Sequence, residues 1–315
     1  MQLHGMHHVT AVSADASGNH AFYTQVLGMR LVKRTVNQDD VSAYHLFYAD
    51  GEARPGTDLT FFNWPVGPEQ RGTNAIVGTT LRVSGAGTFT YWADRLSAAG
   101  IRAAEAREID GRLTLEFQDP EGQRLALLDD HGEGAAFPWA ASPVPPEHQI
   151  RGLGPVHLSV PDLHPSDPFL TEVMAMRRTR TYVDPERPRV TVQVYEMDQG
   201  GLSAELHVRV EPDLAPAQPG AGGVHHVAFR VSDDAEYRAW IERFQQLGIR
   251  FSGPIDRYYF QSLYTRGPNN ILYEIATDGP GFAADESADT LGERLALPPF
   301  LEPRRTEIER GLKPL

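Results

Sequence analysis

A chain of 315 residues with 42 acidic and 29 basic side chains carries a formal net charge of −13, which disfavours nucleic acid or an anionic membrane surface as the main partner and suits a small neutral molecule. There is no cysteine, so disulfides, zinc–thiolate centres and a thiol nucleophile are excluded, and His, Asp and Glu remain as ligands for a transition metal. The length suffices for two ordinary domains with room for a cavity. No run approaches the roughly 18 apolar residues of a spanning helix and no signal-peptide pattern opens the chain, so the expected setting is the cytoplasm, without a membrane partner.

Taken in order, the elements repeat at intervals of about seventy residues. The first unit opens with an alternating strand at His8 to Val12, continues through a helix from His20 to Leu27 closed by Gly28, and adds strand-like runs at Arg30 to Thr35, Ala43 to Tyr48 and Asp58 to Phe62. The second has a strand at Thr79 to Val83, a helix at Thr88 to Ala99, and strands at Glu105 to Ile109, Leu113 to Gln118 and Arg124 to Leu128. A third begins at Val156 to Val160; Pro161 to Pro168 spoil its helix, and strands return at Thr191 to Tyr195 and Ser203 to Val210. The fourth runs from the strand Val224 to Val231 through a helix at Asp234 to Leu247 to a last strand at Ile271 to Ala276.

The predicted class is therefore α+β: four βαβββ modules, at 5–65, 74–130, 151–210 and 222–278, forming two barrel-like mixed sheets with helices outside. The Pro-rich stretch 141–150 divides the chain into halves 1–145 and 150–280, followed by a tail at 281–315 that alternates charged and apolar positions and is suited to cover a barrel mouth or a neighbouring subunit. Exposed strand edges make a homo-oligomer an expected assembly.

Modules one, three and four carry His8, His157 and His226 on their first strands; module two has only threonines and Leu81 there. Aligning the turn Asp119-Pro120-Glu121-Gly122 on Gly267-Pro268-Asn269-Asn270 sets Ala126 opposite Glu274, and the same register sets Glu205 and Thr60 at the equivalent places of modules three and one. A lone strand histidine is ordinarily a satisfied structural residue. Glu274 is different, because a carboxylate between Tyr273 and Ile275 on an apolar strand is costly to bury without a counter-charge, and a dication supplies one. If modules one and four share a cavity, it holds His8, His226 and Glu274, the two-histidine, one-carboxylate set of non-haem Fe(II). If modules three and four share it, the set is His157, Glu205, His226 and Glu274, which suits a Lewis-acid isomerase or lyase.

Leu3 to Thr10 with its His7-His8 pair, Leu27 to Thr35, Tyr44 to Asp50, His225-His226, Asp256 to Tyr264 and the tail segments Gly281-Phe282 and Leu297-Pro298-Pro299 together resemble the vicinal oxygen chelate superfamily, and within it the ring-cleaving dioxygenases that act on chlorinated hydroquinones and hydroquinone. The resemblance covers nearly the whole chain. It implies that modules one and four pair, that His8, His226 and Glu274 hold Fe(II), with Mn, Zn or Ni as alternatives, and that an aromatic diol and dioxygen are the partners. It also implies supporting or substrate-facing roles for His7, Thr10, His225, Arg257 and Tyr264. His157 departs from the pattern of the hydroquinone enzymes, and catechol-cleaving relatives take a first ligand from module three, which sets His157 against His8 as first ligand; the resemblance favours His8.

On that reading His225 or Tyr264 moves protons and Arg257 stabilises negative charge developing on substrate or oxygen. Strand alternation opposes part of it, because His7 and His225 face away from their neighbouring ligands unless a bulge intervenes. His20 and His45 read as structural or exposed. The competing readings are the isomerase above and a non-catalytic protein of the bleomycin-resistance kind that sequesters a small molecule without metal.

Overall fold

The computed structural model describes residues 1–315. β1 (Met6–Ser13) is buried at every position, as a strand packed on both faces must be. Asp15 caps α1 (Ala16–Ala21) by accepting from the Gly18 amide, and the helix runs on through a π-turn at Phe22–Val26. Gly28 ends it at φ +70°, where a Cβ would collide with Val144 and Ser142. β2 (Arg30–Val36), β3 (Tyr44–Ala49) and β4 (Asp58–Asn63) complete the module.

The second module comprises β5 (Ala75–Val83), α2 (Ala86–Ala98), β6 (Arg107–Ile109), β7 (Arg112–Gln118) and β8 (Arg124–Asp129). The third comprises β9 (Gly152–Val160), a one-turn α3 (Ser166–Pro168) leading into a π-turn at Phe169–Val173, β10 (Arg177–Val183), β11 (Thr191–Glu196) and β12 (Glu205–Val210). The fourth comprises β13 (Val224–Val231), α4 (Asp234–Gln246), β14 (Ile255–Asp256), β15 (Phe260–Arg266) and β16 (Leu272–Pro280). In α4, Asp233 caps the Ala235 and Glu236 amides, and Tyr237, Trp240 and Phe244 form the buried stripe.

β10 and β15 lie outside the strands read from the sequence. β10 reads Arg-Arg-Thr-Arg-Thr-Tyr-Val and is mostly exposed, because it is the edge of its sheet and has no apolar alternation to betray it.

Two eight-stranded sheets result. One has the order β14-β15-β16-β13-β1-β4-β3-β2, the other β10-β11-β12-β9-β5-β8-β7-β6. Modules one and four thus share one sheet, joined by the antiparallel pair β1·β13, and modules two and three share the other through β5·β9. Each sheet draws one module from each half of the chain. Fully buried Trp92 of α2 and Trp240 of α4 belong to the main core with the strands.

The tail lies along the first sheet. The Ala296 amide donates to the Arg34 carbonyl, and Leu297, Leu301 and Ile308 pack with Val36, so it covers the β2 edge and ends in α5 (Arg305–Gly311). No helix is long and apolar enough to cross a membrane.

Candidate metal centre

β1, β13 and β16 are neighbours in the first sheet, and the parallel β13·β16 register sets Ala228 opposite Glu274. The antiparallel β1·β13 register sets His8 opposite Ala228 and Thr10 opposite His226. The result is a triad in which His8 Nε2 lies 3.2 Å from His226 Nε2 and 3.2 Å from Glu274 Oε2, while His226 Nε2 lies 2.9 Å from the same oxygen. All three side chains are buried.

Glu274 Oε1 accepts from Ser262 Oγ at 2.5 Å. Oε2 has no donor, since neither imidazole aims an N–H at it within hydrogen-bond angles despite the short separations. Burial pushes the Glu274 carboxyl up, but the His8 and His226 imidazoles outweigh it and hold the group well below the usual carboxylate range. His226 moves the opposite way: burial lowers it, with Glu274 opposing. An ionised carboxylate beside a neutral His226 leaves a point that lacks positive charge.

His7 and His225 sit beside the ligands because each is the extra residue of a β-bulge. Met6 and His8 face successive residues Phe229 and Ala228, which leaves His7 over; Thr10 and Ala11 face His226 and Val224, which leaves His225 over. The expectation that strand alternation turns them away is therefore corrected. His7 Nδ1 lies 2.9 Å from His8 Nδ1, and His225 Nδ1 lies 2.7 Å from His226 Nδ1.

The Thr277 carbonyl can only accept, so His7 donates its Nε2–H to it at 3.1 Å. Burial pushes His7 down to about 3, with His8 adding to the shift, so it is neutral and its Nδ1 is left as an acceptor. His8 must then donate Nδ1–H, which turns its Nε2 toward the triad. Burial likewise pushes His225 down to about 3. Two imidazole Nε2 atoms and an unpartnered carboxylate oxygen converging on one buried point are what a divalent cation binds, so the residues fit a metal of the His/carboxylate class.

Thr10 Oγ1 and Thr60 Oγ1 are 2.8 Å apart, and Thr60 in turn meets His45 Nε2 at 3.0 Å. Thr10 thus props the wall of the site. His45, read from the sequence as structural or exposed, lines the cleft over the triad together with Asn37, Gln38, Phe47, Phe62 and Phe260; nothing in the alternation of β3 sets it apart. Tyr264 stacks edge-on to His226 at 5.7 Å, and the Arg257 guanidinium lies 5.4 Å from the Tyr264 ring while donating to Asp39 at 2.8 Å.

Burial raises the Tyr264 phenol, which remains a neutral donor; burial lowers Arg257, but the Asp39 hydrogen bond reverses this and the net shift is upward. The cleft over the triad has a volume of about 30 Å³, room for about one or two waters. Gln38 and Arg257 meet at the cleft wall, where Gln38 Nε2 donates to the Arg257 carbonyl at 2.8 Å.

The four-residue set of the isomerase reading is not brought together. His157 and Glu205 stand on β9 and β12 of the second sheet, His226 and Glu274 on the first. Glu205 is also engaged already: it accepts from both Arg112 guanidinium nitrogens at 2.8 and 2.9 Å, from Arg180 at 2.8 Å and from His207 at 2.9 Å. Asp110, which with Glu205 and His207 makes the other acidic cluster, accepts from Arg180 at 2.6 Å. Guanidinium groups occupy the charge niche a metal would need.

Residues 5–127 and 152–278 match the family described as the Glyoxalase/Bleomycin resistance protein/Dioxygenase superfamily. The chain belongs to that superfamily. This member is 45% identical over 317 residues to a Bacillus subtilis (strain 168) protein named "Putative ring-cleaving dioxygenase MhqA", with the whole of both chains covered. It is 30% identical over 320 residues to the chlorohydroquinone/hydroquinone 1,2-dioxygenase of Sphingobium indicum, covering 99% of this chain and 96% of the other. Among solved structures, that of a "putative dioxygenase" from Bacillus subtilis superposes with a TM-score of 0.91 at 35% identity, covering 100% and 98% of the two chains. The paired-module sheets are thus those of the superfamily.

Proposed function

We propose that the chain is an Fe(II)-dependent ring-cleaving dioxygenase acting on a hydroquinone or a related aromatic diol, with His8, His226 and Glu274 as the metal ligands. The observation that carries the reading is the orphaned Glu274 oxygen facing two imidazole Nε2 atoms at one buried point, a disposition a bound dication satisfies. The names of the relatives at 45% and 30% identity support the reaction class. Iron held there would supply open positions at which diol and dioxygen meet and exchange electrons.

The chain's own residues do the rest. His7 and His225 fix the ligand imidazoles with Nδ1 engaged and Nε2 turned inward. Arg257 brings a permanent positive charge to the cleft wall, where it stabilises a deprotonated substrate oxygen. Tyr264, neutral and lining the same cleft, offers a hydroxyl donor and is the group placed to pass a proton, whereas His225, held down to about 3 and engaged with His226, is a positioning residue. Phe47, Phe62 and Phe260 supply the apolar wall for the ring.

A protein that sequesters a small molecule without metal would leave the Glu274 oxygen without a partner, which disfavours that alternative. Anaerobic purification with metal analysis, then dioxygen consumption measured with hydroquinones and catechols, tests the proposal. Stoichiometric iron and hydroquinone-dependent oxygen uptake support it; a metal-free protein that binds hydroquinone without consuming oxygen contradicts it.

A further inference from the structure

The second sheet has a cleft of its own, on the side of the molecule that carries no triad. Its volume is about 880 Å³, within the range of small-molecule sites. β5 contributes Thr79 and Thr80 to it, β8 Ala126, β9 His157 and β12 Arg209. His157 stands opposite His207 in the β9·β12 register, and Arg209 follows His207 by two residues, so all three share one face of the sheet.

Two polar atoms on that face are buried without a hydrogen-bond partner: Arg209 Nε and His157 Nδ1. The carboxylate oxygen paired with Arg209, Asp184 Oδ2, is 3.9 Å from Nε and beyond hydrogen-bond reach.

The acidic groups nearby are mostly spoken for. Glu116 and Glu186 both accept from Arg107, and Asp119 accepts from the Tyr23 hydroxyl. Arg124 is paired with Glu69, and Arg102 and Glu105 are exposed at the rim. What remains on this face is a guanidinium with unused donors and an imidazole. A guanidinium whose nearest carboxylate, Asp184, stands beyond hydrogen-bond reach keeps its donors free for a planar anion.

We propose that this cleft binds a small carboxylate, held by Arg209 with His157 as a second donor. The site is distinct from the triad and does not depend on the reaction assigned to it.

Benzoate is the probe, with benzamide as its uncharged counterpart, titrated calorimetrically into the full-length protein. The expected result is saturable benzoate binding, with benzamide and the Arg209→Met variant each weaker by about tenfold or more, as loss of a charge-assisted fork requires. Glu274→Gln binds benzoate like the unaltered protein. Absence of saturable binding, equal binding of benzamide, undiminished binding by Arg209→Met, or loss of binding in Glu274→Gln would each overturn the proposal. Should Arg209→Met not fold, crystals grown with 4-bromobenzoate decide the matter: the carboxylate on Arg209 with bromine in the cleft of the second sheet supports the site, and bromine only over the triad, or nowhere, overturns it.

Discussion

His7 and His8 face one another through Nδ1 atoms 2.9 Å apart, although they are adjacent on one strand. The bulge at Met6/His8 makes this possible, and a second bulge gives His225 and His226 the same relationship at 2.7 Å. Both candidate ligands therefore have a neighbouring imidazole that fixes their orientation. In His7→Phe the His8 Nδ1–H loses its acceptor, and metal affinity falls by about 10- to 100-fold. Competition with a chelator of known affinity measures this. Asparagine at the same place, which can still accept, recovers part of the loss.

Arg257 lies over the Tyr264 ring and lines the cleft at the triad. Replacing it with methionine keeps much of the apolar stem but removes the charge, so catalytic efficiency toward a diol drops by about 10²-fold or more, as loss of an electrostatic stabiliser does. Steady-state kinetics on the iron-loaded protein check this, with metal content expected to remain unchanged because Arg257 is not among the converging ligands.

Lys33 is fully buried on β2, where its ammonium pairs with Asp285 at 2.7 Å and with Glu286, and Tyr259 also donates to Asp285 at 2.9 Å. These contacts fasten the tail beside the cleft. Lys33→Met takes the one buried ammonium from both carboxylates, leaving Glu286 only the Arg294 guanidinium at 3.8 Å, and the expected loss is about 3 kcal/mol. Denaturant unfolding measures the change, and limited proteolysis shows whether cleavage concentrates beyond Pro280.

The sequence made the triad legible through the module repeat, because Glu274 sat on an apolar strand and His8 and His226 on equivalent first strands. What it left open was which module closes the cavity. Two sets of ligands satisfied the same alternation, and long-range pairing such as β1 with β13 leaves no local trace. Bulges were equally hidden, since an extra residue changes facing without changing composition, so His7 and His225 could not be placed. His45 gave no signal because its neighbours on β3 are as buried as a core strand requires. Lys33 was invisible for the opposite reason: a lysine within Arg-Leu-Val-Lys-Arg reads as solvent-facing, and its partners lie some 250 residues away in the tail.

Acid sensitivity follows from His157. Burial holds it well below the ordinary histidine value of 6.5; Arg209 and His207 push the same way and Glu205 opposes them. Its folded-state value is thus depressed, so the unfolded chain binds the proton that the folded chain refuses. Its stabilising contribution is present above pH 6.5 and is lost as pH falls below it. Between pH 6.5 and one unit lower, the unaltered protein should lose about 1 kcal/mol more than His157→Gln. Urea unfolding of both proteins across that window measures the difference.

The central claim is that His8, His226 and Glu274 bind a redox-active metal on which ring cleavage depends. The most direct test pairs iron content with hydroquinone-dependent oxygen uptake in the anaerobically purified protein and in Glu274→Gln. The prediction is about one iron per chain and rapid uptake for the unaltered protein, with both lost together in the variant while its circular dichroism is unchanged. Full iron content in a folded Glu274→Gln, or oxygen uptake that survives without iron, would contradict it.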